Sequence, residues 1–167
     1  MNFVKKQIIR NDDGDPYMIR RAINTPLGGV KLHQFLRSDD DRDLHDHPWS
    51  FVSLILRGGY WEHTHAPCVA AKDGRHAGYY DTTLRVYRCG LRGCSLPQNE
   101  WPRERRWYGI GSLLVRPAHW THRVELPEGK TSWSLVFTGP KRREWGFHTI
   151  CGWIPWTRYW DAKREGC

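Results

Sequence analysis

The two histidines of the stretch His45-Asp46-His47 are the residues whose spacing most directly suggests chemistry. Successive side chains of an extended segment point to opposite sides, so His45 and His47 would point to one side and could bind one ion together. A third histidine, His122, could complete the site. Neutral imidazole suits Fe, Zn, Cu, Ni and Mn, and three such ligands leave open positions on the ion. The alternative is that these are surface or strand histidines paired with nearby carboxylates.

Other polar residues near these histidines are candidates for catalysis or binding. Tyr60 and Glu62 would share one face of a strand, where Tyr60 could donate a hydrogen bond and Glu62 could bind metal or orient a histidine. His119 could be a fourth ligand, an acid–base group or, as we favour, a loop histidine. Arg116, six residues before His122, could bind an anionic group of a substrate or lie on the surface.

The second histidine segment resembles the second motif of the cupin superfamily, G(x)5PxG(x)2H(x)3N. Gly111, Pro117 and His122 fall at the matching positions. Two positions depart from the motif, because His119 stands in place of the glycine and Leu126 in place of the asparagine.

The first cupin motif, G(x)5HxH(x)3–4E(x)6G, is matched by His45 and His47 alone. Asp39 replaces its leading glycine, and the glutamate is missing unless Glu62 substitutes in a shifted register. The resemblance covers about residues 30–140. It implies an all-β, single-domain cupin, that is, a jelly-roll barrel or double-stranded β-helix. It also implies one divalent metal ion bound by His45, His47 and His122.

The runs 45–47 and 122–125 are also similar to the iron-dependent cysteine dioxygenases, which bind iron through three histidines and no carboxylate. That resemblance implies Fe(II) as the favoured ion, with Zn, Ni and Mn open, and a thiol-type dioxygenase activity on a small anionic substrate. Those enzymes hold the substrate carboxylate with an upstream arginine, and Arg20 or Arg21 lies at the corresponding place. The segment 139–148 resembles uncharacterised bacterial and phage cupins with HDHPW and WGFH signatures. A metal-assisted isomerase and a non-catalytic binding module are the alternatives.

Short segments with strand patterns recur along the chain between turn residues, which is typical of a sandwich or barrel. We expect one domain over residues 1–167, with a basic loop excursion at about 89–106 and a short C-terminal helix within 156–165. The predicted strands are 5–10, 18–23, 30–36, 50–56, 60–65, 79–87, 113–115, 123–126 and 132–137.

The chain carries a formal net charge of +8 and ten tryptophans. Basic clusters at 103–106 and 141–143 could bind nucleic acid with the tryptophans stacking on bases, but solvated basic loops are favoured because the clusters are short. The sequence does not determine the oligomeric state, and a homodimer is one possibility.

The sequence also carries information on membrane insertion and cellular location. It has no apolar run of the about 18 residues that a membrane span needs, and no apolar leader follows Met1. Five cysteines, an odd number without a disulfide-framework spacing, favour reduced thiols and a cytoplasmic location.

Overall fold

A computed structural model describes residues 4–10, 14–39, 43–65, 78–81, 86–89, 103–149 and 151–167. Fourteen strands and a short C-terminal helix make up these parts of the chain. The strands are β1 (Lys5–Arg10), β2 (Pro16–Thr25), β3 (Gly28–Phe35), β4 (Leu44–His45), β5 (Phe51–Arg57), β6 (Gly59–His65), β7 (Gly78–Asp81), β8 (Val86–Cys89), β9 (Arg103–Gly109), β10 (Leu113–Arg116), β11 (His122–Glu125), β12 (Ser132–Thr138), β13 (Gly146–Thr149) and β14 (Gly152–Pro155).

Two six-stranded antiparallel sheets contain most of these strands. The first has the order β1-β2-β3-β12-β5-β10, and the second has the order β14-β13-β4-β11-β6-β9. Strands β7 and β8 form a separate antiparallel pair. The architecture confirms the all-β prediction.

The hydrophobic core lies between the two sheets. Met18, Phe35 and Ile55 from the first sheet pack in one cluster with Tyr60 and Val124 from the second. Alternation along each strand explains this layer, because every second residue points inward. The two sheets therefore form a sandwich whose interior also holds the histidines.

The turn between β5 and β6 depends on Gly58. Its backbone has a φ of 72°, and a Cβ added there would lie 2.2 Å from the Thr131 carbonyl oxygen. Only glycine fits such a position without strain or a shift of its neighbour. The sequence Gly58-Gly59 is a hairpin signal, but the expected hairpin is wrong, because β5 pairs within the first sheet and β6 within the second. The turn instead carries the chain from one sheet to the other.

The C-terminal segment packs against the second sheet. A short 3-10 helix (Trp156–Arg158) leads into α1 (Tyr159–Arg164), within the range where a helix was expected. The Tyr159 ring stacks on Phe147 of β13 at 3.8 Å between centroids. A disulfide joins Cys151 to Cys167, so the expectation of reduced thiols is wrong for these two residues. The spacing of the cysteines did not predict this pair, which is 16 residues apart in sequence. The two residues meet only because β14 and α1 fold back on each other.

Other expectations differ from the structure in ways that strand pairing explains. The single strand expected at 79–87 is two strands, β7 and β8, that pair with each other. Of the basic excursion expected at 89–106, residues 90–102 lie outside the described part of the chain. Residues 103–106 belong to β9, which pairs along the whole length of β6. No described helix is long and apolar enough to cross a membrane.

Candidate metal centre

His45, His47 and His122 converge at one end of the space between the sheets. His45 ends β4, where it is paired with His122 of β11 on one side and Phe147 of β13 on the other. His47 follows beyond the end of β4, and its backbone N–H donates to the Ala118 carbonyl at 3.0 Å. Each histidine is thus placed by backbone hydrogen bonds to a neighbouring strand or loop.

The three imidazole rings are close enough to share one ion. Their potential ligand atoms all lie within 4.8 Å of one another. The Nε2 atoms of His47 and His122 are 2.9 Å apart. Two nitrogens bound at 90° to one ion, with bonds of 2.0–2.1 Å, would be about 2.9 Å apart. This pair therefore fits neighbouring ligand positions, and the three histidines could bind a metal.

Burial favours the neutral form of His45 and His47, which metal binding requires. Burial is the largest cause that lowers the pKa of His45, to about 4, and the nearby Asp39 only partly opposes it. The pKa of His47 lies well below its ordinary value, first through burial and then through the charges of His122, His45 and other neighbours. Phe51 packs edge-on against the His47 ring at 4.7 Å and helps to exclude water.

Glu62 orients His122 from behind. Its Oε1 lies 2.7 Å from Nδ1 of His122, and its Oε2 accepts from Nη2 of Arg116 at 2.6 Å. If Nδ1–H donates to this carboxylate, Nε2 keeps its lone pair for an ion. Burial raises the pKa of Glu62, but the hydrogen bonds and charges of His122 and Arg116 together have the larger effect and lower it from 4.5 to about 2. Glu62 is not within the histidine cluster, so it acts on the site through His122.

Asp46 points away from the two histidines that flank it, as strand alternation predicts. Its carboxylate is buried and accepts hydrogen bonds from the Gly146 backbone N–H at 2.8 Å, Arg143 at 2.5 Å and Trp153 at 3.1 Å. Burial raises the pKa of Asp46, but the nearby His148, the Gly146 backbone N–H and the charge of Arg143 together lower it below its ordinary value. The network ties the His45–His47 segment to the β13–β14 hairpin.

A cavity of about 390 Å³ opens beside the histidines. His45 and His47 form part of its wall, and a smaller cavity of about 100 Å³ continues inward to His122 and Tyr60. Arg20 lines both. The remaining wall of the larger cavity is mostly aromatic: Tyr17, Trp49, Trp145, Phe147, Trp156 and Trp160.

The three arginines considered as substrate ligands lie in different places. Arg20 points inward, and its Nε donates to His33 at 3.1 Å. Arg21, one residue later on β2, points to the opposite side of the sheet and lines neither cavity. Arg116 lies against Glu62 and over the Trp120 ring at 4.4 Å rather than in a cavity wall. Of these three arginines, Arg20 is therefore the one that a molecule beside the histidines would meet.

Two further candidates are separated by the fold. Tyr60 is buried in the wall of the inner cavity, and burial first and then the charge of Glu62 raise the pKa of its hydroxyl. His119 is exposed in the turn where the Trp120 N–H bonds back to the Pro117 carbonyl, and it is outside the histidine cluster. This position agrees with a loop histidine.

The sequence analysis missed several residues around the centre. Asp39 is buried, accepts from the Val124 backbone N–H at 2.8 Å and lies 3.9 Å from Nδ1 of His45. Trp145 and Phe147 both pack against the His45 ring. The WGFH-like signature within 139–148 was the one signal for these rings, because it marked the segment without assigning it a place.

No protein-family model matches the chain, and no curated protein matches it. Among solved structures it is similar to a cupin-2 domain from Rhodospirillum rubrum, with a TM-score of 0.53 and 11% identity over 91% of this chain and 80% of that one. It is also similar to the polyketide cyclase RemF from Streptomyces resistomycificus, with a TM-score of 0.50 and 15% identity over 85% and 78% of the two chains.

A third neighbour is the hydroxypropylphosphonic acid epoxidase from S. wedmorenis, with a TM-score of 0.46 and 11% identity over 81% of this chain and 55% of the epoxidase. The chain thus spans little more than half the length of that protein. Identities this low show the fold alone, and that fold is a single-domain cupin barrel.

Proposed function

We propose that this cupin-fold chain binds one divalent transition metal ion through His45, His47 and His122 and acts on a small anionic molecule in the adjoining cavity. One observation carries the proposal: the Nε2 atoms of His47 and His122 lie 2.9 Å apart beside a cavity of about 390 Å³ that Arg20 also lines. Burying imidazole nitrogens costs free energy unless they find a hydrogen-bond partner or bind an ion, and this spacing suits an ion.

The resemblance to the iron-dependent cysteine dioxygenases favours Fe(II), with Zn, Ni and Mn open. Imidazole is a borderline ligand that suits Fe, Zn, Cu and Ni, so nitrogen donors alone do not choose one ion. Three protein ligands leave positions for other molecules, and an ion bound there would supply Lewis-acid or one-electron chemistry. Glu62 would hold His122 in the tautomer that presents Nε2.

The cavity fits a small anion with an apolar part. Its volume lies within the range of small-molecule sites, which begins at about 300 Å³. A planar guanidinium suits a carboxylate because it offers two parallel hydrogen bonds. The charge of Arg20 is also among the causes that lower the pKa of His47, which places this guanidinium within electrostatic reach of the histidines. The aromatic wall would exclude water around the bound molecule.

The finer proposal is a thiol-type dioxygenase activity. It rests on the three-histidine pattern without a carboxylate ligand and on one inward arginine, Arg20. In that role Arg20 would orient the substrate, and the buried Tyr60 hydroxyl in the inner cavity could hold or donate a proton. A metal-assisted isomerase would use the same residues without oxygen.

Oxygen uptake separates these versions. We would load the protein with Fe(II) anaerobically, add a panel of thiol acids and follow dissolved oxygen, with metal-free protein as the baseline. Arg20→Met should abolish uptake, whereas Arg37→Met, which removes an exposed arginine paired with Asp15, should not. An Arg20→Met variant as active as wild type would contradict the role of Arg20. No uptake across the panel would reject the dioxygenase version and leave the metal site to be tested by itself.

A nucleic-acid-associated binding module is the second candidate. Arg105 lies over the Trp61 ring at 4.2 Å, next to the exposed Trp107, and such a surface could stack bases. However, the guanidinium of Arg105 is paired with Glu125 at 2.6 Å. In the cluster at 141–143, Arg143 is likewise paired with Asp46 and Lys141 with Glu144. Binding of single-stranded oligonucleotides that weakens steeply with salt would favour this candidate.

A further inference from the structure

The outer face of the first sheet is apolar across five neighbouring strands. Residues directly opposite each other in the ladder share a face, so the register defines rows of outward side chains. One row is apolar throughout, and it consists of Ile23, Val30, Phe137, Val52 and Val115. The next row starts with Arg21 and continues with Leu32, Leu135, Leu54 and Leu113.

Several of these side chains are well exposed. Phe137 is 48% exposed, Val115 66% and Leu113 65%. Nine of the ten positions in the two rows are aliphatic or aromatic, and Arg21 stands at the β2 end. We name these ten positions the outer apolar face.

The inner side of the same sheet is more polar than this outer face. The residues that alternate with the outer rows include the buried Lys31, Ser53, Ser134 and Thr138. An antiparallel sheet with one face in water normally places apolar residues inward and polar residues outward. The inner side still contributes Met18, Phe35 and Ile55 to the core, but the outer face is apolar where polar residues are normal. This departure indicates that the outer apolar face is covered in the functional protein.

The size of the face suits a protein partner. Five strands about 4.8 Å apart are about 24 Å wide, and the two outward residues of each strand span about 13 Å, so the flat outline is roughly 310 Å². The relief of the side chains raises the accessible area above this outline, and the face would form the apolar centre of an interface to which each partner contributes about 800 Å². A single small molecule or short peptide would leave much of this face exposed.

We propose that a second copy of this chain covers the outer apolar face, sheet against sheet around a two-fold axis. The centre of the face carries no charge that would demand an oppositely charged partner, and an apolar face is complementary to itself. An axis parallel to β12, the middle strand of the five, places β2 of one copy opposite β10 of the other. The two Arg21 side chains then lie at opposite margins, about 19 Å apart by strand spacing, and do not repel each other at the centre.

Solution mass tests this dimer directly. Sedimentation equilibrium of the full chain over a range of micromolar concentrations should give twice the chain mass of 19.7 kDa. Phe137→Lys places a charge in the middle of the interface and should yield a folded monomer. Trp107→Lys is the matched control, because Trp107 is 42% exposed on the other sheet, and it should stay dimeric.

Val115→Lys, at the exposed edge strand β10, provides a second variant should Phe137→Lys fail to fold. It should dissociate the dimer or weaken it at least tenfold. A wild-type chain that is monomeric at the highest concentration would overturn the proposal. So would a dimer that survives both substitutions unchanged, because its interface would then lie elsewhere.

Discussion

The carboxylate of Glu62 should stabilise both the fold and the metal site, and Glu62→Gln separates its charge from its shape. The side chain is 2% exposed and lies between His122 and Arg116. Its pKa falls from 4.5 to about 2 in the folded chain. A shift of about 2.5 units corresponds to about 3 kcal/mol in favour of the ionised form. We therefore expect Glu62→Gln to lower the free energy of unfolding at pH 7 by about 3 kcal/mol.

The pH dependence of that loss follows from the sign of the shift. A carboxylate whose folded pKa is lowered contributes its stability above about pH 4.5 and loses it as the pH falls towards 2. The difference between wild type and Glu62→Gln should therefore be largest at pH 7 and shrink steadily below pH 4.5. Metal affinity should also drop, by about 10- to 100-fold, as for other residues that orient a metal-binding histidine.

Chemical denaturation at several pH values and competition with a metal chelator measure these effects. Glu128→Gln, which alters an exposed turn residue, is the control, and its unfolding free energy should stay within about 0.5 kcal/mol of wild type. The reasoning fails if Glu62→Gln costs under about 1 kcal/mol at pH 7, or if its metal affinity stays within about twofold of wild type.

Three further results are expected. Burial and the charge of Arg20 lower the pKa of Lys31 from 10.5 to about 8. The charged ammonium therefore destabilises the fold below about pH 8, and this penalty disappears as the pH rises from about 8 to 10.5. Lys31→Met should thus be about 2 kcal/mol more stable than wild type at pH 7, with the gain gone by pH 10.5, and a less stable variant at pH 7 would contradict this. Reducing the Cys151–Cys167 disulfide should cost about 3 kcal/mol for a loop of this length, measured by thermal unfolding; an unchanged melting temperature would argue against the bond. Gly58→Ala should destabilise more than Gly111→Ala, since both have positive φ but only the first would clash with backbone; equal losses would show that strain alone decides.

Strand alternation was enough to predict much of the centre. It placed His45 and His47 on one side and Asp46 on the other, and the buried network of Asp46 agrees with that. The match to the second cupin motif around Gly111, Pro117 and His122 predicted that the distant His122 would join the other two histidines. These features depend on local spacing, which a single sequence displays.

Contacts between different strands could not be predicted from local spacing. Whether Glu62 lies near the ion or behind His122 depends on how β6 and β11 align, and the register brings its carboxylate to Nδ1 of His122. The choice between Arg20 and Arg21 depends on which face of β2 turns inward. The disulfide and the aromatic wall from β13 onward come from residues far apart in sequence, and no short motif encodes their contacts.

The amount of metal bound by the purified chain tests the three-histidine site most directly. Tag-free protein would be loaded anaerobically with Fe(II), desalted and analysed by inductively coupled plasma mass spectrometry. His47→Ala removes one proposed ligand, and His119→Ala is the matched control because His119 is exposed and outside the cluster. We expect about one ion per chain in wild type and in His119→Ala, and a small fraction of that in His47→Ala. Equal occupancy in wild type and His47→Ala, or no retained ion in wild type, would contradict the assignment of His45, His47 and His122 as the metal ligands.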